Sequence, residues 1–193
     1  GLAGTHLAGA EQFGAPPGAG ADTGFGSLRL PNEPAPDWPS FYAERRLIPL
    51  ADRAQRRGAL PAGAMTALDR VVERLRSSDG ERGGGPGIAG PPEPPARLHG
   101  DLWGGNVMTG AQGEPWLIDP AAHGGHREVD LALLRLFGGP SQRVFDAYEE
   151  VAPLAPGAAE RVGLWQLAPL LLHAALFGGG YGSRAAELLK RYS

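Results

Sequence analysis

One stretch constrains this chain more than any other. It is Leu98-His99-Gly100-Asp101-Leu102-Trp103-Gly104-Gly105-Asn106, followed after a turn-forming segment by Ile118-Asp119-Pro120. It sets Asp101 and Asn106 five residues apart, with Asp119 thirteen beyond Asn106. An Asp in a glycine-bearing loop is by itself usually a turn former. The ordered set is harder to reach by chance, because the spacing demands that the backbone double back. Residues 96–99, 106–108 and 116–118 are β-like, and the last two flank Thr109-Gly110-Ala111-Gln112-Gly113, which predicts a small hairpin. That hairpin returns Asp119 towards Asn106, and Gly104 and Gly105 permit the tight path between.

Helical patterning surrounds this loop. Residues 1–12 suggest the tail of a helix, and 13–39 form an extended, Gly- and Pro-rich connection. Trp38-Pro39-Ser40 can start a helix that Pro49 interrupts. Met65, Leu68, Val71, Val72 and Leu75 predict a helix over about 62–76. Residues 77–96 are a Gly/Pro-rich linker, 97–120 carry the loops, and 128–193 are helical, over about 128–137, 141–150, 158–177 and 183–191. The fold class is mainly α (α+β), a helical body with a catalytic loop and a short β-hairpin set into it.

Bulk properties narrow the partners. A net charge of −3 gives no sign excess for nucleic acid or a membrane surface. The absence of Cys excludes disulfides and thiolate metal sites and fits a cytoplasmic location. The apolar stretch 164–177 is too short to span a bilayer and is expected to be a buried core helix. The sequence begins at Gly1 without a Met and so reads as a processed chain or a fragment.

The loop residues suit phosphoryl transfer. That chemistry needs a carboxylate to orient the attacking hydroxyl and accept its proton, and oxygen ligands to hold Mg²⁺ on nucleotide phosphates. Protein kinases place the base Asp five residues before a metal-binding Asn and carry a second metal-binding Asp beyond the next hairpin. Asp101, Asn106 and Asp119 match those positions. Mg²⁺ keeps several waters, so Asn106 and Asp119 are enough protein ligands. His99 is expected to brace the loop.

HGDLWGGN resembles the catalytic loop of the fructosamine/ketosamine 3-kinase family, relatives of aminoglycoside and choline phosphotransferases, and the Leu-Trp-Gly-Gly insertion favours this family over its cousins. Residues 37–47 (DWPSFYAERRL) are similar to its D-W-x-x-F-Y-x-x-x-R-L segment. Ile118-Asp119-Pro120-Ala121 and Gly125-His126-Arg127-Glu128-Val129-Asp130-Leu131-Ala132 also resemble its motifs, as do Leu136-Phe137-Gly138-Gly139, Phe145-Asp146-Ala147-Tyr148 and Gly178-Gly179-Gly180-Tyr181. The resemblance implies a protein-kinase-like fold, ATP with Mg²⁺, and phosphorylation of the sugar 3-hydroxyl of a fructosamine or ribulosamine, small or protein-bound. The product then decomposes and frees the amine. By matching position it makes Asp101 the base, Asn106 and Asp119 the cofactor and metal ligands, and Asp130 the structural brace of the loop. Trp103 would pack against the sugar, with His126 and Glu128 on the substrate side. The only Lys is Lys190, and no strand-rich segment precedes the loop. The resemblance therefore covers a C-terminal lobe and implies an N-terminal β lobe, bearing a phosphate-binding Lys, in the intact protein.

Blander alternatives stand beside this one. Trp165 and its neighbouring leucines are most simply core, and His173 a satisfied core histidine. His123-Gly124-Gly125-His126 could suggest a metal site, but Gly-Gly spacing supplies no rigid element to hold two imidazoles. Arg53, Arg56 and Arg57 fit a solvated helix face. At the level of function, two further readings remain: a non-catalytic binding module that keeps a kinase lobe, and a phosphotransferase for another small-molecule hydroxyl.

Overall fold

The helix α4 (Ala64–Arg76) shows why the body is helical: Ala64, Ala67, Leu68, Val71, Val72 and Leu75 recur every three or four residues, and all are buried. The computed structural model describes residues 1–20, 22–25, 27–77 and 87–193. Residues 78–86, the middle of the expected linker, lie outside the described residues. The main core joins α4 to α2 (Trp38–Tyr42), α3 (Ile48–Arg56), α8 (Leu167–Phe177) and α9 (Tyr181–Tyr192). A smaller cluster gathers α1 (Leu2–Leu7), α5 (Glu128–Leu136) and α6 (Gln142–Val151) around Leu102.

Two expectations about helix breaks are corrected. Asp37 caps α2, its Oδ1 accepting the Ser40 N–H at 2.7 Å. The chain then passes through a π-helical segment, Ala43–Leu47, into α3 without stopping at Pro49. A proline clashes with the carbonyl four residues before it and cannot bond to it. The wider π turn absorbs that conflict, and the freed Arg45 carbonyl accepts from Arg46 Nη1 at 3.0 Å. Conversely, the single helix expected over 158–177 is two, α7 (Ala158–Trp165) and α8, hinged at Gln166. Pro169 has no N–H for the Trp165 carbonyl. The Tyr42 hydroxyl serves the break: it donates to the Leu164 carbonyl at 2.9 Å, stands 3.2 Å from that of Trp165, and accepts the Ala168 N–H at 3.2 Å.

The described residues contain three antiparallel two-stranded sheets. The expected hairpin is β4 (Val107–Thr109) with β5 (Pro115–Leu117), pairing Met108 opposite Trp116. The extended connection 13–39 proves to hold a hairpin too, β1 (Asp22–Phe25) with β2 (Leu28–Pro31), anchored by the buried Leu30. The third sheet pairs β3 (Ala96–Leu98) with β6 (His123–Gly125), setting Leu98 opposite His123. Glycine is required in β6: a Cβ on Gly124 would lie 1.8 Å from the Gln12 carbonyl oxygen. The β3–β6 sheet delivers both ends of the critical loop to one place, the N-terminal end of α5.

Candidate active site

The loop leaves β3 at the buried Leu98 and is gripped at once. Asp130, in the first turn of α5 and 0 % exposed, accepts the His99 N–H at 2.7 Å and the Gly100 N–H at 2.9 Å. Those two bonds fix the backbone from which Asp101 projects. Gly100 has φ +82°, and a Cβ there would meet the Ala121 carbonyl oxygen at 2.2 Å, so only glycine makes this turn. His99 bonds at both ring nitrogens. Its Nδ1 accepts the Asp101 N–H at 3.3 Å, which leaves the Nε2–H to donate to the Ile118 carbonyl at 2.9 Å.

Asn106 ends a 3₁₀ turn, Gly104–Asn106. Its amide nitrogen donates to the Asp101 carbonyl at 2.8 Å and lies 3.3 Å from Asp101 Oδ2. Its own carbonyl accepts the Ile118 N–H at 3.0 Å. Ile118 is therefore tied to both His99 and Asn106, and Asp119 follows it. Asp119 is exposed and is the one described non-glycine residue with positive φ, +51°, a strained conformation of the kind that gathers at ligand sites. The structure thus joins Asp101 to Asn106 directly and brings Asp119 beside them through the backbone.

Burial pushes the Asp101 carboxyl above its ordinary value, opposed by the Asn106 amide and the nearby His99 and His173, and reinforced by the Asp130 charge. A half-buried carboxylate of raised basicity suits proton acceptance. A cavity of about 50 Å³ opens beside Asp101, with Gly100, Phe25, Arg46, Leu172 and His173 among its walls. Trp103 is 41 % exposed, its ring lying across Gly105 and edge-on to Phe137 at 6.5 Å. For a divalent cation the available donors are the Asn106 amide oxygen and the Asp119 carboxylate. No group of three or more His, Cys, Asp or Glu among the described residues could hold a metal ion by itself. An oxygen pair that leaves most positions to water and phosphate fits Mg²⁺.

Other expectations land differently. Glu128 and His126 are buried away from the Asp101 cavity. Glu128 accepts from Arg161 at 2.5 and 2.9 Å and from Trp165 Nε1 at 2.8 Å, while His126 stacks on Trp165 at 5.4 Å. They are correspondingly placed to hold α5 against α7, not to touch a ligand in that cavity. The histidine pair does not converge as a metal site would: the His123 ring stacks on Phe41 at 5.6 Å and donates from Nδ1 to the Ala121 carbonyl at 2.8 Å. His173 is satisfied, as expected, but it also shares the cavity wall with Asp101. Its Nδ1 donates to the Pro169 carbonyl at 2.8 Å, and its ring sits among Phe137 at 4.7 Å and Tyr181 at 5.0 Å. The signal that could have found it is the nearby Gly178-Gly179-Gly180-Tyr181 motif, which seats Tyr181 against the ring.

Comparison with known proteins identifies the family. Residues 1–193 match the fructosamine kinase family. A probable ketoamine kinase of Synechocystis sp. is 37% identical over 193 residues, covering 98% of this chain and 59% of that protein. One from Enterococcus faecium is 34% identical over 191 residues, covering 99% and 64%. The chain therefore spans about three fifths of the length of these curated relatives. A crystal structure of a Thermobifida fusca protein, assigned as a fructosamine-3-kinase, superposes with a TM-score of 0.86 at 48% identity, covering 99% of this chain and 62% of that one. Among the described residues no helix is long and apolar enough to cross a membrane.

Proposed function

This chain belongs to the fructosamine kinase family, and from that premise we propose that it supplies the catalytic lobe for ATP- and Mg²⁺-dependent phosphorylation of the 3-hydroxyl of a fructosamine or ribulosamine. The observation that carries the proposal is the braced loop: Asp101 is held by the Asp130-fixed backbone and bonded by Asn106, whose carbonyl accepts the N–H of Ile118, the residue before Asp119.

Asp101 orients the acceptor hydroxyl and takes its proton as the oxygen attacks the γ-phosphorus. The bond from that phosphorus to the β–γ bridging oxygen breaks, and ADP departs. Asn106 and Asp119 would hold Mg²⁺, which supplies neutralisation of the charge on the transferring phosphoryl group. The Asn106 amide nitrogen, committed to Asp101, leaves its Oδ1 as the metal-facing atom. His99 keeps the Ile118–Asp119 segment in register with Asp101 through its two ring nitrogens. In this reading the exposed Trp103 would pack against the sugar, and His173, in the cavity wall, would border it beside Asp101.

The test is a phosphotransfer assay on the intact enzyme with a small fructosamine, an aminoglycoside and choline as acceptors. Turnover confined to the ketosamine, lost in Asp101→Asn with the fold retained, is the expected result. Asp101→Asn with normal turnover, or preference for another acceptor, would overturn it.

A further inference from the structure

The polar support behind the loop does not stop at Asp130. Its Oδ2 has a neighbour beyond His99, the His6 Nε2 at 3.2 Å, and the other His6 ring nitrogen lies 2.8 Å from the Tyr148 hydroxyl. The side chains of His6 and Asp130 have no exposed surface. His6 sits on α1, 124 residues from Asp130 in sequence, yet it meets the carboxylate that fixes the catalytic loop.

The donors have a direction. The Asp130 carboxylate can only accept, so the ring proton of His6 lies on Nε2, facing it. Nδ1 is then left to accept the Tyr148 O–H. The chain then ends on the carboxylate that carries the His99 and Gly100 N–H groups. The same helix also touches the loop from its apolar side: Ala3 shares a buried cluster with Leu102, the residue after Asp101, and Leu2 packs against that cluster.

We infer that His6 is a positioning residue for Asp101, acting through Asp130. Helix α1 thereby clamps the catalytic loop on both sides of its base. The kinetic consequence rests on the kinase reading above; the structural consequence does not.

The test compares His6→Leu, His6→Gln and Tyr148→Phe in the intact enzyme. Glutamine keeps an N–H for Asp130 and an oxygen for Tyr148, whereas leucine keeps neither. His6→Leu is expected to lower kcat by about tenfold to a hundredfold, the scale of a small misplacement of a reacting group, with KM for ATP holding near its original value. His6→Gln should recover most of that loss. Amide hydrogen exchange at His99 and Gly100 should quicken in His6→Leu and Tyr148→Phe and return towards normal in His6→Gln. Equal losses in the Leu and Gln variants would mean bulk packing alone and overturn the inference, as would unchanged exchange. Were the parent enzyme inactive on ketosamines, the kinase reading would fail and the exchange arm would still decide the role of His6. Were His6→Leu not to fold, slow exchange at His99 in Tyr148→Phe would overturn it.

Discussion

The side-chain nitrogen of Asn106 lies 2.8 Å from the main-chain oxygen of Asp101 and 3.3 Å from its Oδ2. In the proposed mechanism one amide would both order the base and, through its remaining oxygen, offer a ligand to a cation. Asn106→Ala removes both functions. Loss of one preorganised polar group at a reacting centre typically costs about a hundredfold to a thousandfold in kcat, so at least that is expected here. Steady-state kinetics across a Mg²⁺ titration will show whether the deficit persists at saturating metal; full recovery there would leave only the ligand role.

Asp130 is the acceptor on which the loop hangs. It is 0 % exposed and serves the His99 N–H, the Gly100 N–H and His6. Asp130→Ala leaves these donors buried and unpaired, which costs about 3–5 kcal/mol when a buried polar pairing is broken from one side. Chemical denaturation should show that loss, with Asp130→Asn falling less because it keeps one acceptor oxygen. A loss below about 1 kcal/mol, the usual net value of one hydrogen bond, would mean that the loop does not depend on this residue.

Gly100→Ala tests the turn itself. The new methyl would need φ +82° and would press on the Ala121 carbonyl, a backbone atom that no side-chain rotation can move aside. Left-handed strain alone costs roughly 1–3 kcal/mol, and the collision forces the loop open. Loss of turnover together with a lowered melting temperature is expected; a variant with parental activity would contradict the geometry.

The loop was legible because its information is local: Asp101, Asn106 and Asp119 are tied by spacing and by a hairpin that the intervening residues announce. The helix faces were legible for a similar reason, since six apolar residues of α4 repeat with the helical period. What escaped was set by distant partners. Pro169 removes a bond just beyond Gln166, but a proline alone does not say that the helix breaks there, because the hydroxyl that serves the break comes from Tyr42 on another helix. The strand His123–Gly125 has almost no β-forming side chains and exists because Gly124 lets the 12–14 segment pass close by. Glu128 and His126 were assigned to the substrate side by motif, but motif position does not distinguish a residue held by Arg161 and Trp165 from one facing a ligand. His173 is satisfied as expected, but its place in the cavity wall was hidden, because an apolar helix conceals which of its faces borders a cavity.

His123 makes stability depend on pH. Burial is the main cause lowering its pKa from 6.5 to about 3, aided by the Arg46 charge. The folded imidazole is neutral while the unfolded one protonates, so the unfolded state binds the extra proton between those two values. Stability is accordingly present above about pH 6.5 and lost as pH falls towards 3, with a slope of about 1.4 kcal/mol per pH unit for one proton. Burial lowers His126 in the same direction, which steepens the acid side. Urea unfolding at several pH values should show the slope, and His123→Gln should flatten it; an unaltered slope in that variant would assign the effect elsewhere.

Asp101 shows the opposite sign, and this separates its proposed catalytic role from its structural one. Burial raises its carboxyl in the folded chain, so the folded state favours the protonated form. The stability that this group contributes is therefore fully present below the unfolded carboxylate pKa and is lost as pH rises through the folded value. At neutral pH the native state bears the cost of a desolvated anion, which Asp101→Asn removes. That variant should melt above the parent at pH 7, with the gap closing as pH falls below the ordinary carboxylate value of about 4. Turnover must move the other way: kcat/KM of the parent should rise with pH on an acid limb lying above that ordinary value, since only the ionised carboxylate accepts the hydroxyl proton. His173 helps hold the Asp101 carboxyl down, so His173→Gln should shift the limb towards higher pH. Thermal melts and pH–rate profiles on the same preparations check both signs together. An Asp101→Asn protein that is inactive and also less stable at neutral pH would show that the loop needs this carboxylate for its fold, and that the residue is not a base held at the expense of stability.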